Sequence, residues 1–293
     1  MSFHDWLYSV YPENSVINGR WGTLHILTLV ACFLIILAIA FIFKNKSEKA
    51  KQNVILVLAG FILLFELSRR AINLSRGQLD TQGLLVTLLP RPWCAISCWV
   101  MMASSIVKKR WFYNFASMNA LLNAIIFFAY PSVGFNHSVI LFENLYSITT
   151  HALLLISSIS LMTLGLTGFK IKKDFLLKEI IGLILVFAYS FIEIFLLKIE
   201  KDPMYFMNNN DVQAFLGVEY NLYLVIYVVF LVFYFSLFHI VQLLIDKIKG
   251  WLKSAFYFYL FAVTFLITNN VPIVNKIPIG KRIYALVTNA DII

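Results

Sequence analysis

The residues of this chain that could do chemistry are few, and most lie inside apolar stretches. Cys94 stands in Leu89-Pro90-Arg91-Pro92-Trp93-Cys94-Ala95-Ile96-Ser97-Cys98. A cysteine becomes a nucleophile only when a base or a positive charge raises its thiolate fraction, because a thiol packed in hydrocarbon is inert. His151 is the histidine at a comparable depth that could serve as the base, and Glu66 or Glu193 could orient it. On spacing alone, Cys94 as a small packing residue is the plainer reading. Cys94 and Cys98 share a helix face at i, i+4, but two thiols with no neighbouring histidine or carboxylate fall short of the four ligands of a structural metal site. No metal and no cofactor is expected.

Ionisable side chains inside a membrane span are costly, and they usually face the interior of a bundle. Besides Glu66 and Glu193 these are Arg69, Arg70 and Arg91, a set suited to a charged or zwitterionic ligand in a polar cavity. The blander alternative pairs Glu66 with Arg69 or Arg70 at i+3 and i+4, and lets Glu193 snorkel to the interface. Pro90 and Pro92 open the span that carries Cys94. Each lacks an N–H and clashes one turn back, so the helix breaks there. The freed carbonyls are tolerated only where protein or a water-filled cavity meets them. Asn119 and Asn123, at i, i+4, fit hydrogen bonds between helices.

The elements that must position these groups follow from composition. Of 293 residues, 60% are hydrophobic and 13% charged, and the mean hydropathy is +0.81. A soluble domain has roughly 25% charged residues, and three cysteines make no disulfide scaffold. The apolar runs are continuous rather than alternating, which predicts an all-α polytopic membrane helix bundle and excludes a barrel. Seven transmembrane helices are expected, near residues 24–43, 54–72, 84–107, 112–130, 144–166, 176–197 and 220–245. Residues 255–267 are short enough to read as an eighth, interfacial or re-entrant segment.

Lysine and arginine set the orientation. The loops after the first, third, fifth and seventh spans hold 14 basic residues, and the other side holds 6. This places the N-terminus outside and the protein in the plasma membrane. Nearly every intramembrane charge then falls in the outer half of the bundle, leaving the inner half little beyond His239 and the lysine-rich loops. The net charge of +9 is thus a topology signal. The basic residues are scattered without aromatic platforms, so nucleic acid is not an expected partner, whereas membrane lipids are. Phe3, Trp6, Leu7 and Val10 are spaced as on a short amphipathic helix. No internal repeat or linker splits the chain. It divides into an outer amphipathic segment, 1–20, a seven-helix domain, 21–249, and an interfacial segment and tail, 250–293, which together with the inner loops offers a surface for a protein partner.

The order of these features resembles the YwaF-like integral membrane family. That resemblance rests on Phe65-Glu66-Leu67 near the outer end of helix two, Leu89-Pro90-Arg91-Pro92-Trp93-Cys94 entering helix three, Thr150-His151-Ala152 in helix five, and the aromatic-rich approach from Phe135 to Tyr146. It covers about residues 20–245. Pro92 stands where the family's motif has a histidine, and the loop before helix seven is weakly matched. Eukaryotic relatives are thought to remodel phospholipids as acyltransferases through the motif cysteine. The resemblance therefore implies Cys94 as the acyl-accepting nucleophile, His151 as general base and Glu66 as an orienting group. Two readings of other classes stand beside it. One is a small-solute transporter built on the charged set, and the other a lipid- or partner-binding membrane subunit without enzymatic activity.

Overall fold

The computed structural model describes residues 2–9, 22–77, 81–91, 93–129, 135, 140–169, 173–199, 204–207, 213 and 216–247. Pro92, the segment 255–267 and the tail lie outside the described residues. Among those described there are nine α-helices and no strand. They are α1 Phe3–Tyr8, α2 Thr23–Phe43, α3 Glu48–Ser75, α4 Thr81–Leu88, α5 Trp93–Val107, α6 Arg110–Ala129, α7 Phe142–Thr163, α8 Lys173–Phe191, which continues as a π-helical turn Ile192–Leu196, and α9 Tyr220–Lys247. Five of the helical stretches are long and apolar enough to cross a membrane: Thr23–Phe43, Arg110–Ala129, Phe142–Thr163, Leu176–Leu196 and Tyr220–Leu244.

The two other expected spans depart from the hydropathy pattern for identifiable reasons. Helix α3 begins six residues before its apolar stretch because Ser47 caps it, its hydroxyl accepting from the Ala50 N–H at 3.3 Å. At the other end α3 runs on through Ser68-Arg69-Arg70, whose charges lower its hydropathy without interrupting the helix. The third expected span is two pieces, α4 and α5, with Leu89, Pro90 and Arg91 between them outside any helix. Helix α7 stops in a Schellman arrangement. Gly165, at φ +72°, donates to the Met162 carbonyl, and Leu166 donates to that of Leu161.

Helices α6 and α7 form the axis of the bundle and are mostly buried, whereas α2, α8 and α9 are peripheral. Helices α3 and α5 complete the inner ring by packing on both axial helices or on each other. Lipid tails are as apolar as leucine, so close backbone approach and polar contacts, rather than hydrophobic burial, hold such an interior together. The interior is accordingly rich in small polar residues: Ser97 and Ser104 of α5, Ser117 of α6, and Ser157, Ser158 and Ser160 of α7 are buried, and the Ser158 hydroxyl donates to the Ser117 carbonyl at 2.7 Å. The large apolar side chains of α2, α8 and α9, among them Phe41, Leu185 and Phe233, point outward. Helix α1 docks through Trp6, whose indole N–H donates to the Ile140 carbonyl at 2.9 Å and whose ring meets Phe142 edge-on.

Candidate functional site

The C-terminal third of α3 presents Glu66, Arg69 and Arg70 to the interior. Glu66 is completely buried and Arg70 nearly so. A carboxylate has room for several donors, and here three side chains converge on it. Arg69 reaches Glu66 Oε1 at 3.1 Å, Arg70 binds the same oxygen, and the Tyr146 hydroxyl of α7 donates to Oε2 at 2.5 Å. The Arg69 guanidinium also lies over the Tyr146 ring, 5.2 Å from its centroid. The i+3 and i+4 pairing is therefore real, and it is joined by a third partner from another helix.

The same arginines complete the break between α4 and α5. Arg70 Nη1 donates to the carbonyls of Thr87 and Leu89 at 2.6 and 2.7 Å, and Arg69 approaches the Arg91 carbonyl at 3.4 Å. The carbonyls freed by the proline break are thus met by a guanidinium from α3 rather than by open space. Arg91, freed from the helix, extends to Glu193, with Nε 2.9 Å from Oε2. Glu193 does not snorkel: it is completely buried. It sits in the π-helical turn after α8, a local widening frequent at functional positions. Three arginines and two glutamates give this cluster a formal excess of one positive charge.

Cys94 is half-buried, the second residue of α5, and Glu66 and Arg69 are the charged groups that act on its sulfur. It therefore lies near the cluster formed by α3. Cys98 lies one turn deeper, donating its S–H to the Cys94 carbonyl at 3.2 Å. The contacts of His151 are different ones. Its Nδ1 is 2.7 Å from the Ser147 carbonyl, and its ring stacks on Phe127 with centroids 3.9 Å apart. A carbonyl only accepts, so Nδ1 carries the proton and Nε2 keeps its lone pair. The structure thus joins Glu66, Arg69, Arg70, Arg91 and Glu193 in one network, with Cys94 beside it. His151 lies on the same helix as the network's Tyr146, five residues further along.

Around this network the interior is tied by the asparagines of α6. Trp93 donates to Asn119 Oδ1 at 2.5 Å, and Asn123 donates to the Ser97 hydroxyl at 2.7 Å. Both bonds join α5 to α6 and fix the helix that carries Cys94. Sequence reasoning missed the role of Tyr146, because an aromatic residue near a span end reads as an interfacial anchor.

The other end of the bundle is not bare, contrary to expectation. His239 of α9 has Nδ1 3.0 Å from the Phe169 carbonyl and Nε2 2.8 Å from Glu179 Oε2. Asn114 donates to Glu179 Oε1 at 2.8 Å and exchanges two further bonds with the Gly168 backbone. Both nitrogens of His239 face acceptors, so the His239–Glu179 pair holds one shared proton. Helices α6, α8 and α9 meet there.

A family model described as the TMEM164 family matches residues 20–239, a range that holds every residue of both clusters. Among curated proteins and among solved structures, nothing matches.

Proposed function

The chain belongs to the TMEM164 family of transmembrane proteins, and from that premise we propose that it is a plasma-membrane phospholipid acyltransferase working through a Cys94 thioester, as the YwaF-like resemblance implies. In this reading α2, α3, the α4–α5 pair, α6, α7, α8 and α9 are the seven spans, with the N-terminus outside. The Arg69–Cys94 end then faces the outer leaflet. The loop distribution of lysine and arginine supports that orientation.

The observation that carries the proposal is the setting of Cys94. It stands in the first turn of a helix, where backbone N–H groups lack intrahelical partners. Donors at such a point can stabilise the oxyanion of an acyl-transfer intermediate, and the thiolate itself requires a base. The thiolate attacks the ester carbon of a phospholipid. The C–S bond forms, the C–O bond to glycerol breaks, and the departing alkoxide takes up the proton that His151 Nε2 removed from the thiol. A lysolipid hydroxyl then attacks the thioester, His151 accepts its proton, and the acyl chain leaves on the new oxygen as the thiol is regenerated. Glu66 is a positioning residue here. It binds Tyr146 and so holds α7, the helix on which His151 sits.

The transport reading relies on the same charges. They are largely paired with one another, Glu66 with two arginines and Glu193 with Arg91, which favours a scaffold for Cys94 over a solute site. The test is intact-protein mass after incubation of the purified chain with phospholipid, beside a Cys94→Ser control. A hydroxylamine-labile acyl adduct on the parent protein alone is expected. Absence of any adduct, with lipid retained non-covalently by both proteins, would overturn the transferase and leave a lipid-binding subunit.

A further inference from the structure

Between α5, α6 and α8 runs an apolar groove of about 380 Å³. One wall is a single stripe of α8: Lys178, Ile181, Gly182, Leu185, Val186 and Tyr189 recur at the spacing of one helix face. Two contacts set α8 against α6. The Asn114 amide donates to Glu179 Oε1 at 2.8 Å, and a Cβ on Gly182 would lie 3.2 Å from the Phe115 ring. The two pairs ascend together, so α6 and α8 run in the same sense. Lys178, one turn before Gly182, therefore comes level with Trp111, one turn before Phe115, and both line the groove. From there to Tyr189 the stripe spans roughly 16 Å at the helical rise. That is about half of a ~30 Å hydrocarbon core, the depth of one leaflet's chains.

The groove carries its charge at one end. Lys178 is the charged residue of its lining, and the side chain is exposed. Its neighbour Glu179 is turned inward and held by Asn114 and His239, which fixes the face of α8 on which Lys178 stands. Lys108 and Lys109, also exposed, closely precede Trp111 in the turn that enters α6. Among the described residues no carboxylate pairs with any of these three lysines. The other walls are almost wholly apolar, and Trp111, level with Lys178, is the residue type found where hydrocarbon meets headgroups. A fitting occupant has a hydrocarbon chain along the stripe and a net negative end at Lys178. The ammonium of a zwitterionic headgroup would face lysines there. We infer that the groove seats one acyl chain of an anionic phospholipid, with its phosphate at Lys178 and its chain running toward Tyr189. In the orientation that the loop charges favour, this lipid belongs to the inner leaflet, whose anionic surface attracts basic residues. The site lies at the other end of the bundle from Cys94 and goes beyond the transferase, because it needs no acyl transfer.

The test exposes the purified full chain in detergent to an equimolar mixture of dioleoyl phosphatidylglycerol and dioleoyl phosphatidylcholine, and weighs the retained lipid by native mass spectrometry. The parent chain is expected to retain phosphatidylglycerol in preference. Lys178→Gln is expected to lower the retained ratio of phosphatidylglycerol to phosphatidylcholine by roughly fivefold. Lys44→Gln, which removes an exposed lysine of another loop, is expected to leave the ratio unchanged. Leu185 lines the groove from the exposed side of α8, so Leu185→Trp fills the groove and leaves the bundle interior untouched. It is expected to reduce retained phosphatidylglycerol by roughly tenfold, whereas Ile184→Trp, on the same helix but off the stripe, is expected to change nothing. An unaltered ratio in Lys178→Gln, or an equal fall in Lys44→Gln, would overturn the inference. Full retention in Leu185→Trp would overturn it too, because the attraction would then be to charge alone. The two readings fail separately. The lipid preference without an acyl adduct on Cys94 defeats the transferase and leaves the groove, and an adduct on a chain that lacks the preference does the reverse.

Discussion

Tyr146 donates its hydroxyl proton to Glu66 Oε2 at 2.5 Å, and so clamps α7 to a carboxylate that two arginines of α3 hold by its other oxygen. The bond spans 80 residues of sequence. It converts a local i+3, i+4 ion pair into a junction between the helix that supports the α4–α5 break and the helix that carries His151.

Removing that hydroxyl with Tyr146→Phe keeps the ring beneath Arg69 and leaves Glu66 with arginine partners only. A loss of about 1–2 kcal/mol is expected, read as lowered thermal stability in detergent. Removal of the carboxylate in Glu66→Ala is expected to cost more, about 3–5 kcal/mol, because the buried Arg70 and the half-buried Arg69 both lose their counter-ion. Equal effects of the two changes would show that the tyrosine, and not the carboxylate, organises the junction.

Arg91 and Glu193 should behave as a coupled pair. Arg91→Gln or Glu193→Gln alone is expected to destabilise by about 3–5 kcal/mol, since each leaves a buried unpaired charge. The double change should cost less than the sum, with a coupling above about 1 kcal/mol in a double-mutant cycle. Strict additivity would mean that the 2.9 Å approach contributes nothing to folding.

For His151 the stacking on Phe127 and the chemistry can be separated. His151→Phe keeps an aromatic ring against Phe127 and removes the Nε2 lone pair. Stability within about 1 kcal/mol of the parent is expected, with acyl transfer reduced by a factor on the order of 10²–10⁴. Full activity in this variant would assign the proton transfer to another group.

At the opposite end, the shared proton of His239 and Glu179 predicts an asymmetry between two substitutions. Glu179→Gln supplies an amide N–H to a neutral His239 while its carbonyl still accepts from Asn114, so a change under about 1.5 kcal/mol is expected. His239→Leu strands a buried carboxylate and should cost about 3–5 kcal/mol. Denaturation midpoints of the two variants decide it, and a larger loss for Glu179→Gln would refute the shared proton.

How far these arrangements could be read in the sequence depended on distance along the chain. Glu66 with Arg69 and Arg70 was legible because helical spacing alone makes them neighbours. The break before Cys94 was legible because proline forbids the ladder, although what fills it, a guanidinium from another helix, was not. Arg91 and Glu193 were each recognisable as costly intramembrane charges, yet nothing in spacing pairs residues that far apart. Glu179 escaped notice because it follows Lys178 at the edge of a basic loop, where a carboxylate reads as solvated. The lengths of α3 and α5 escaped a hydropathy window for the opposite reasons: charges inside a continuous helix, and a continuous apolar run inside a broken one.

The ion pair across the bundle also has a consequence for how the chain is made. Arg70 is synthesised before the broken segment, so the donor for the Thr87 and Leu89 carbonyls is already present when they arrive. Glu193 follows Arg91 by about a hundred residues, roughly 5–20 s of translation. Over that interval the nascent chain must carry the Arg91 guanidinium without its carboxylate. The Arg91–Glu193 contact can therefore close only after α8 has been made, later than the contacts of Arg70 to the same break.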